Sequence, residues 1–102
     1  MRTSENFSCQ IIKLDSELLV SLQGDLDMYA ISNLQEIIWD HLTPEIKRVT
    51  IDCDWVQYVD SAFLQLVTRI ANQLETVKLI NASRTIRKIF EISGLSNFLT
   101  ED

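Results

Sequence analysis

The positions of the apolar residues divide the chain into short strands and amphipathic helices. Runs rich in Ile, Leu and Val, bounded by turn residues, predict four strands. The first two are separated by Asp15 and Ser16, a pair typical of tight turns, and the second ends at Gly24, so together they predict a β-hairpin. The predicted strands cover residues 7–14, 17–23, 49–53 and 76–80.

Apolar residues spaced three and four apart predict three helices. The first covers residues 30–42 and ends before Pro44. The second begins near Ser61, and its apolar residues cover more than one face, so we expect it to be central and largely buried. The third follows a capping segment at residues 81–83 and stops at Gly94, a position that favours helix ends.

Two further segments complete the element order. Residues 54–60 are expected to form a loop, and residues 95–99 one final helical turn. An initial hairpin followed by strand–helix units predicts a small α/β domain, with a mixed, mostly parallel sheet of about four strands covered by helices. We expect one domain over residues 1–102, with its core at about 7–99.

Composition narrows the classes of function. The chain has 102 residues, a net charge of -6, two glycines, two cysteines and one histidine. The acidic balance argues against nucleic-acid binding, and two glycines leave no room for a Gly-rich nucleotide loop. No zinc site or other cofactor is expected. Met1 to Asn6 do not resemble a secretory signal and no segment could cross a membrane, so a cytoplasmic protein with reduced Cys9 and Cys53 is expected.

Ser61 follows Asp60 directly at the predicted start of the second helix. Unpaired N–H groups and the helix dipole allow such a position to hold an anion, for instance a phosphoryl group. Asp and Ser are also ordinary capping residues, and the dipeptide alone fits capping better. Asp25 and Asp27 precede the first helix, where Asp27 fits the same role. Because loops after parallel strands gather at one sheet edge, Asp27, Asp60 and Ser61 are expected to meet there.

Other polar and aromatic residues carry structural interpretations. His41 fits the dipole at the end of the first helix, and a catalytic triad with Ser61 is disfavoured because no glycine elbow surrounds the serine. Trp39, Trp55 and Tyr58 are interpreted as packing residues. A basic group on the third helix is interpreted as a solvated face, with a partner contact as the alternative; it comprises Arg84, Arg87 and Lys88.

Four segments form a recognisable pattern: Gly24–Asp27, Ile51-Asp52 with Val56–Ser61, Val77–Asn81 and Ile86–Leu95. In this order and spacing they resemble the STAS family, and more narrowly the bacterial anti-sigma factor antagonists. The resemblance covers about residues 7–99. In that family the serine of the Asp-Ser pair is phosphorylated by a partner that is both anti-sigma factor and serine kinase. The resemblance therefore implies phosphorylation of Ser61, with Asp27 and Asp60 lining the region.

One departure from the family pattern lies beside this serine. The family often has Asp-Ser-Ser-Gly-Leu, whereas this chain has Ala62 and Phe63 after Ser61. Ser61 is thus the only hydroxyl in that turn. Phe63 is interpreted either as a core residue or as an apolar contact for a partner. Asp25, Ala62 and Phe63 are included in the expected phosphosite neighbourhood and partner surface.

The resemblance also implies partners. We expect a serine kinase and anti-sigma factor of the histidine-kinase-like ATPase type, which the unphosphorylated protein binds so that its target is released. A PP2C-type phosphatase would act on phosphorylated Ser61. No catalytic activity, nucleic acid or membrane insertion is expected. The alternatives are a STAS subunit of a lipid-transporting ABC system, whose equivalent position is commonly threonine, and a partner-switch regulator with a non-sigma output. A phospho-aspartate receiver is disfavoured because Lys78 precedes its strand's apolar residues instead of following them.

The charge is concentrated in one part of the chain. Residues 1–65 hold 11 acidic and 4 basic side chains, whereas residues 66–102 hold 4 and 5. We expect much of the acidic excess to surround Ser61. The carboxylates concerned are Asp25, Asp27, Asp54 and Asp60.

Overall fold

The predicted element order is confirmed by the computed structural model, which describes residues 7–100. The expectation about Met1 to Asn6 lies outside these residues. None of the helices between residues 7 and 100 has the length and apolar character that crossing a membrane requires. The elements are β1 Phe7–Leu14, β2 Glu17–Leu26, α1 Met28–His41, β3 Arg48–Val59, α2 Ser61–Ala71, β4 Thr76–Ile80, α3 Arg84–Ile92 and a short 3-10 turn Ser96–Phe98.

The four strands form one mixed sheet in the order β1-β2-β3-β4. β1 and β2 pair antiparallel through the predicted turn, where Asp15 adopts a positive φ of 55°. β2, β3 and β4 are parallel, because α1 and α2 return the chain across the sheet between them. The predicted α/β class and the mostly parallel sheet are thus confirmed.

The helices cover one face of this sheet. Alternate side chains of β2 and β4 are buried, including Leu18, Val20 and Leu79, while the residues between them are not. α1 packs against β2 and α2, and α2 also packs on β4. The core therefore lies between the helices and one face, and the opposite face has no helix against it among the described residues. We call that opposite side the open face.

β3 is much longer than predicted. The sequence predicts a strand over residues 49–53 and a loop over 54–60, but β3 continues to Val59, so the predicted loop is wrong except for Asp60. On its β4 side, β3 is paired only as far as Asp52, which lies opposite Ile80. On its β2 side, the pairing continues to the end of the strand.

Two β-bulges explain why buried and exposed side chains do not alternate in the second half of β3. From Asp52 to Trp55, β3 advances three residues while β2 advances two, and a second extra residue lies between Val56 and Tyr58. Each bulge places two consecutive side chains towards solvent. As a result, buried residues of β3 that first recur at every second position later recur at every third. The buried positions are 49, 51, 53, 56 and 59.

The carboxyl end of the described chain covers the outer edge of β4. The predicted final helical turn is present as the 3-10 turn Ser96–Phe98, and after it Leu99 pairs in parallel with Leu79. The Thr100 amide donates to the Leu79 carbonyl at 3.2 Å, and the Arg87 guanidinium donates to the Thr100 carbonyl at 2.7 Å. Arg87 is therefore half-buried and does not belong to a solvated basic face, which corrects the prediction for this residue.

Both cysteines are free thiols, as predicted. Cys9 lies in β1 and Cys53 in β3, with β2 between them. Two strand spacings amount to about 9.5 Å, which exceeds the Cα separation of about 7 Å that a disulfide can span. Burial raises the pKa of the Cys53 thiol to about 12, with a smaller contribution from the Asp52 carboxylate, and burial also raises the pKa of Cys9. At neutral pH both thiols are protonated and poorly nucleophilic.

Candidate functional site

The predicted site residues lie where β2 and β3 end side by side. Leu26 and Val59 are the last paired residues of these strands, and they are followed directly by Asp27 and Asp60. Neighbouring strands lie about 4.8 Å apart, so the two aspartates occupy adjacent positions on the carboxyl edge of the sheet. The expected meeting of Asp27, Asp60 and Ser61 therefore occurs at this edge.

Asp60 is the N-cap of α2. Its carboxylate accepts a hydrogen bond from the Ala62 amide at 2.9 Å, and its backbone carbonyl accepts one from the Phe63 amide at 3.0 Å. These bonds use two of the backbone donors at the helix start. A carboxylate therefore already occupies the position where the sequence suggested free donors for an anion.

Asp27 caps α1 in the same way. Its carboxylate accepts from the Ala30 amide at 2.9 Å, and its carbonyl accepts from the Ile31 amide, also at 2.9 Å. The hydrogen bonds thus confirm that both aspartates are helix caps. A carboxylate therefore caps each of the two helices that follow the neighbouring strands β2 and β3.

Ser61 is the first residue of α2 and is exposed to solvent. No hydrogen bond to its hydroxyl is found among residues 7–100, since the capping contact next to it is made by Asp60. An exposed hydroxyl at the end of a helix, with no structural bond to break, is accessible to a modifying enzyme. A phosphate there would lie beside the Asp60 carboxylate.

Phe63 belongs to the core. Its side chain is 0% exposed and packs edge-on against Phe90 of α3, with ring centroids 5.9 Å apart and an interplanar angle of 73°. Of the two interpretations from the sequence, the apolar contact for a partner is therefore wrong. Ala62 is half-buried beside the cap and leaves the Ser61 hydroxyl uncovered.

Fewer carboxylates lie near Ser61 than predicted. Asp25 lies in β2 opposite Tyr58 and is half-buried close to the site edge. Asp54 is not in a loop at this edge, because it lies in the first bulge of β3, near the position opposite Leu22. That position is about 13 Å along the strands from the edge, since each strand residue spans about 3.3 Å. Three of the four expected carboxylates remain near Ser61.

Large exposed side chains flank this edge and form a surface that the sequence pattern did not predict. Met28 and Tyr29 begin α1 and are 61% and 73% exposed, while Tyr58 at the end of β3 is 52% exposed. The packing interpretation of Tyr58 and Trp55 is therefore wrong, and Trp39 is also partly exposed. The sequence did hold one signal of this exposure, because Tyr29 lies outside the apolar stripe of α1. We call the surface formed by Met28, Tyr29 and Tyr58 the edge aromatic patch, although one of its three residues is a methionine.

His41 is at the other end of α1, where its ring Nδ1 lies 2.8 Å from the Ile37 carbonyl oxygen. The helix rises 1.5 Å per residue, so His41 is about 20 Å from Asp27. A triad of His41 with Ser61 is therefore not formed. Within residues 7–100, no three His, Cys, Asp or Glu side chains are grouped as metal ligands.

Comparisons with known proteins agree with this architecture. A family profile described as "Mlab, STAS domain" matches residues 9–101. BtrV of Bordetella bronchiseptica, whose name describes it as a candidate anti-sigma factor antagonist, is 30% identical over 86 residues, covering 80% of this chain and 74% of BtrV.

Solved structures of one protein have the same fold. The unphosphorylated form of the anti-sigma factor antagonist SpoIIAA superposes with a TM-score of 0.84 at 23% identity, covering 93% of this chain and 88% of that one. The phosphorylated form of the Bacillus cell fate determinant SpoIIAA gives a TM-score of 0.76 at 23% identity, covering 93% and 91%.

Proposed function

Because the chain belongs to the STAS domain family, within the bacterial anti-sigma factor antagonists, we propose that it is a binding module switched by phosphorylation of Ser61. The unphosphorylated protein binds an anti-sigma factor that is also a serine kinase, of the histidine-kinase-like ATPase type. Binding releases the factor that this partner was holding. A PP2C-type phosphatase restores the unphosphorylated form. In this proposal the chain catalyses nothing itself and acts in the cytoplasm.

The observation that carries the proposal is the state of Ser61 at the sheet edge. Its hydroxyl is exposed, while the neighbouring Asp60 makes the capping bonds that the helix requires. Modification of Ser61 therefore leaves the cap intact and the fold unchanged. That SpoIIAA has been solved in both phosphorylated and unphosphorylated forms supports a fold of this kind accepting the modification.

Electrostatics explains how one phosphate can act as a switch. Phosphorylation adds about -1.5 to -2 charges next to Asp27 and Asp60, where two of the backbone donors at the start of α2 are already used by the cap. A partner surface that fits the neutral serine then faces a cluster of negative charges. Two like charges about 4 Å apart repel by about 4 kcal/mol at an effective dielectric constant of about 20, which corresponds to about a thousandfold loss in affinity.

The edge aromatic patch supplies contact area around the serine. Met28, Tyr29 and Tyr58 expose apolar surface next to the two caps. Binding energy at interfaces is concentrated in buried aromatic side chains, whereas a charge change at their centre controls whether they can dock. We assign the patch to contact with the kinase-type partner and Ser61 to control of that contact.

The test compares binding of Ser61 variants to the kinase-type partner by calorimetric titration. Ser61→Ala is expected to bind like the wild type and to resist phosphorylation, and Ser61→Glu is expected to lose about a thousandfold in affinity. The matched control is Ser93→Glu, since Ser93 is an exposed serine that follows the last residue of α3, away from the edge aromatic patch. Equal binding by all three variants would contradict the proposal. Phosphoserine found at residues other than 61 after incubation with partner and ATP would contradict it as well.

A different measurement distinguishes the proposed switch from the lipid-transport alternative. A subunit of an ABC system is expected to co-purify with an ATPase and a membrane permease. It would do so equally well as Ser61→Ala and as Ser61→Glu. Co-purification of that kind, without phosphorylation of Ser61, would favour the alternative.

A further inference from the structure

The open face is a second surface with interface character, separate from the Ser61 edge. Ile12, Leu14 and Trp55 lie on this side of the sheet and are 47%, 53% and 68% exposed. Shallow grooves of about 360 and 340 Å³ adjoin Trp55 and share Ser8 and Gln23 in their walls. The helices and both caps lie on the other side of the sheet or at its edge, so the proposed switch does not use this face.

The central part of the open face carries no net charge. Where all four strands lie side by side, its charged residues are Glu17, Arg48, Asp52 and Lys78, two of each sign. The whole chain has a net charge of -6, so two copies repel each other over most of their surfaces. On the open face two copies can approach without that repulsion.

The charges are also arranged so that the face complements itself. Glu17, Arg48 and Lys78 lie towards the beginning of their strands and together carry a charge of +1, with the Arg48 guanidinium 4.0 Å from the Glu17 carboxylate. Asp52 and Trp55 lie further along β3, towards the carboxyl edge. A two-fold axis that runs across the strands, within the interface, reverses this order in the second copy. It therefore brings the cationic end of each copy over the Asp52 and Trp55 end of the other, which pairs opposite charges and places a guanidinium near an indole face.

The area of the open face determines how strongly two copies are expected to associate through it. Four strands about 4.8 Å apart, and about seven residues of 3.3 Å each, give a footprint of about 19 by 23 Å. This is smaller than the roughly 800 Å² per partner of a standard stable interface. We propose that the chain forms a weak two-fold dimer in which the open faces of two copies pack against each other.

The test is sedimentation velocity of the full chain from about 10 μM to about 1 mM, the range in which weak interfaces associate. The wild type is expected to shift from monomer to dimer with increasing concentration. Ile12→Lys is expected to weaken dimerisation at least about tenfold, with Ile92→Lys as matched control, because Ile92 is exposed on α3. Lys78→Glu is expected to weaken dimerisation similarly, with Lys88→Glu as the matched control, because Lys88 is exposed on α3 and its replacement changes the net charge by the same amount. Urea denaturation checks that every variant is folded.

Several outcomes would overturn the dimer. A monomer at all concentrations would do so, as would controls that disrupt association as strongly as the open-face variants. Loss with Ile12→Lys but not Lys78→Glu would indicate edge-to-edge pairing of β1 strands instead, because Lys78 lies on β4 at the far side of the sheet. Ser61→Glu is expected to dimerise like the wild type, so failure of the dimer and failure of the switch are distinguishable.

Discussion

The two helices that begin at the carboxyl edge have the same cap but an opposite distribution of side-chain bulk. In α1, Asp27 is followed by Met28 and Tyr29, which are large and exposed, and then by a small buried alanine. In α2, Asp60 is followed by a small exposed serine and a small half-buried alanine, and then by a large buried phenylalanine. The third helical position is fully buried in both.

In the proposed function, this difference separates the surface that contacts the partner from the residue whose phosphorylation controls that contact. The start of α1 exposes apolar surface to a partner while it contributes only a methyl group to the core. The start of α2 contributes a phenyl ring to the core and keeps its hydroxyl uncovered. Since the two starts are neighbours, a partner that docks on the first must lie over the second, where a phosphate would meet it.

The largest expected effect is on stability, at the buried position of α2. Phe63→Ala is expected to lower the free energy of unfolding by about 3–5 kcal/mol, because it removes the ring that packs on Phe90 and leaves a cavity. Tyr29→Ala, on the exposed side of α1, is expected to change it by less than about 0.5 kcal/mol. Urea denaturation of both variants measures the contrast. A loss below about 1 kcal/mol for Phe63→Ala would show that the two starts do not differ as described.

The next effect is on binding, at the exposed positions of α1. Replacing Met28 and Tyr29 together by serine is expected to lower affinity for the kinase-type partner about 10- to 100-fold, as truncation of interface anchors does. The free energy of unfolding should stay within about 0.5 kcal/mol. Calorimetric titration provides the affinity, and serine in place of Ile92 is the control for loss of an exposed apolar side chain far from the edge. Unchanged affinity would remove the edge aromatic patch from the partner surface.

The smallest effect concerns the caps, where the two starts are alike. Asp27→Ala and Asp60→Ala are each expected to lower the free energy of unfolding by about 1 kcal/mol, since each carboxylate accepts one backbone N–H at 2.9 Å. The double variant is expected to lose slightly more than the sum of the single losses, because each single replacement already relieves the repulsion between the two carboxylates, and that repulsion can be relieved only once. If replacing either aspartate had no effect on thermal or urea unfolding, the two caps would not be equivalent.

Most of the fold could be predicted because it depends on local periodicity. The three helices have their apolar residues three and four apart, and β1, β2 and β4 have turn residues at their ends. The second half of β3 could not be predicted. Its bulges change the spacing of buried residues from two to three, a pattern that indicates neither a strand nor a helix. Pairing with β2, a long-range interaction, holds this segment extended.

The site was only partly accessible from the sequence. The side-by-side position of Asp27 and Asp60 follows from parallel strands, and this arrangement was expected. The location of Phe63 depends on its contact with Phe90 of α3, which no local pattern encodes. The exposure of Tyr58 depends on the second bulge, so an aromatic residue that fits a core strand lies in solvent instead.

The early end of the β3–β4 ladder has a consequence for local opening. Up to Asp52, the amides of β3 lie between two strands, whereas from Cys53 to Val59 no strand within residues 7–100 pairs with its β4 side. Amide hydrogen exchange is therefore expected to be slow in the first half of β3 and faster in the second. The segment leading to Ser61 is therefore expected to open locally at a lower free energy than the first half of the sheet, and Cys53, Val56 and Val59 would leave the core as it does so.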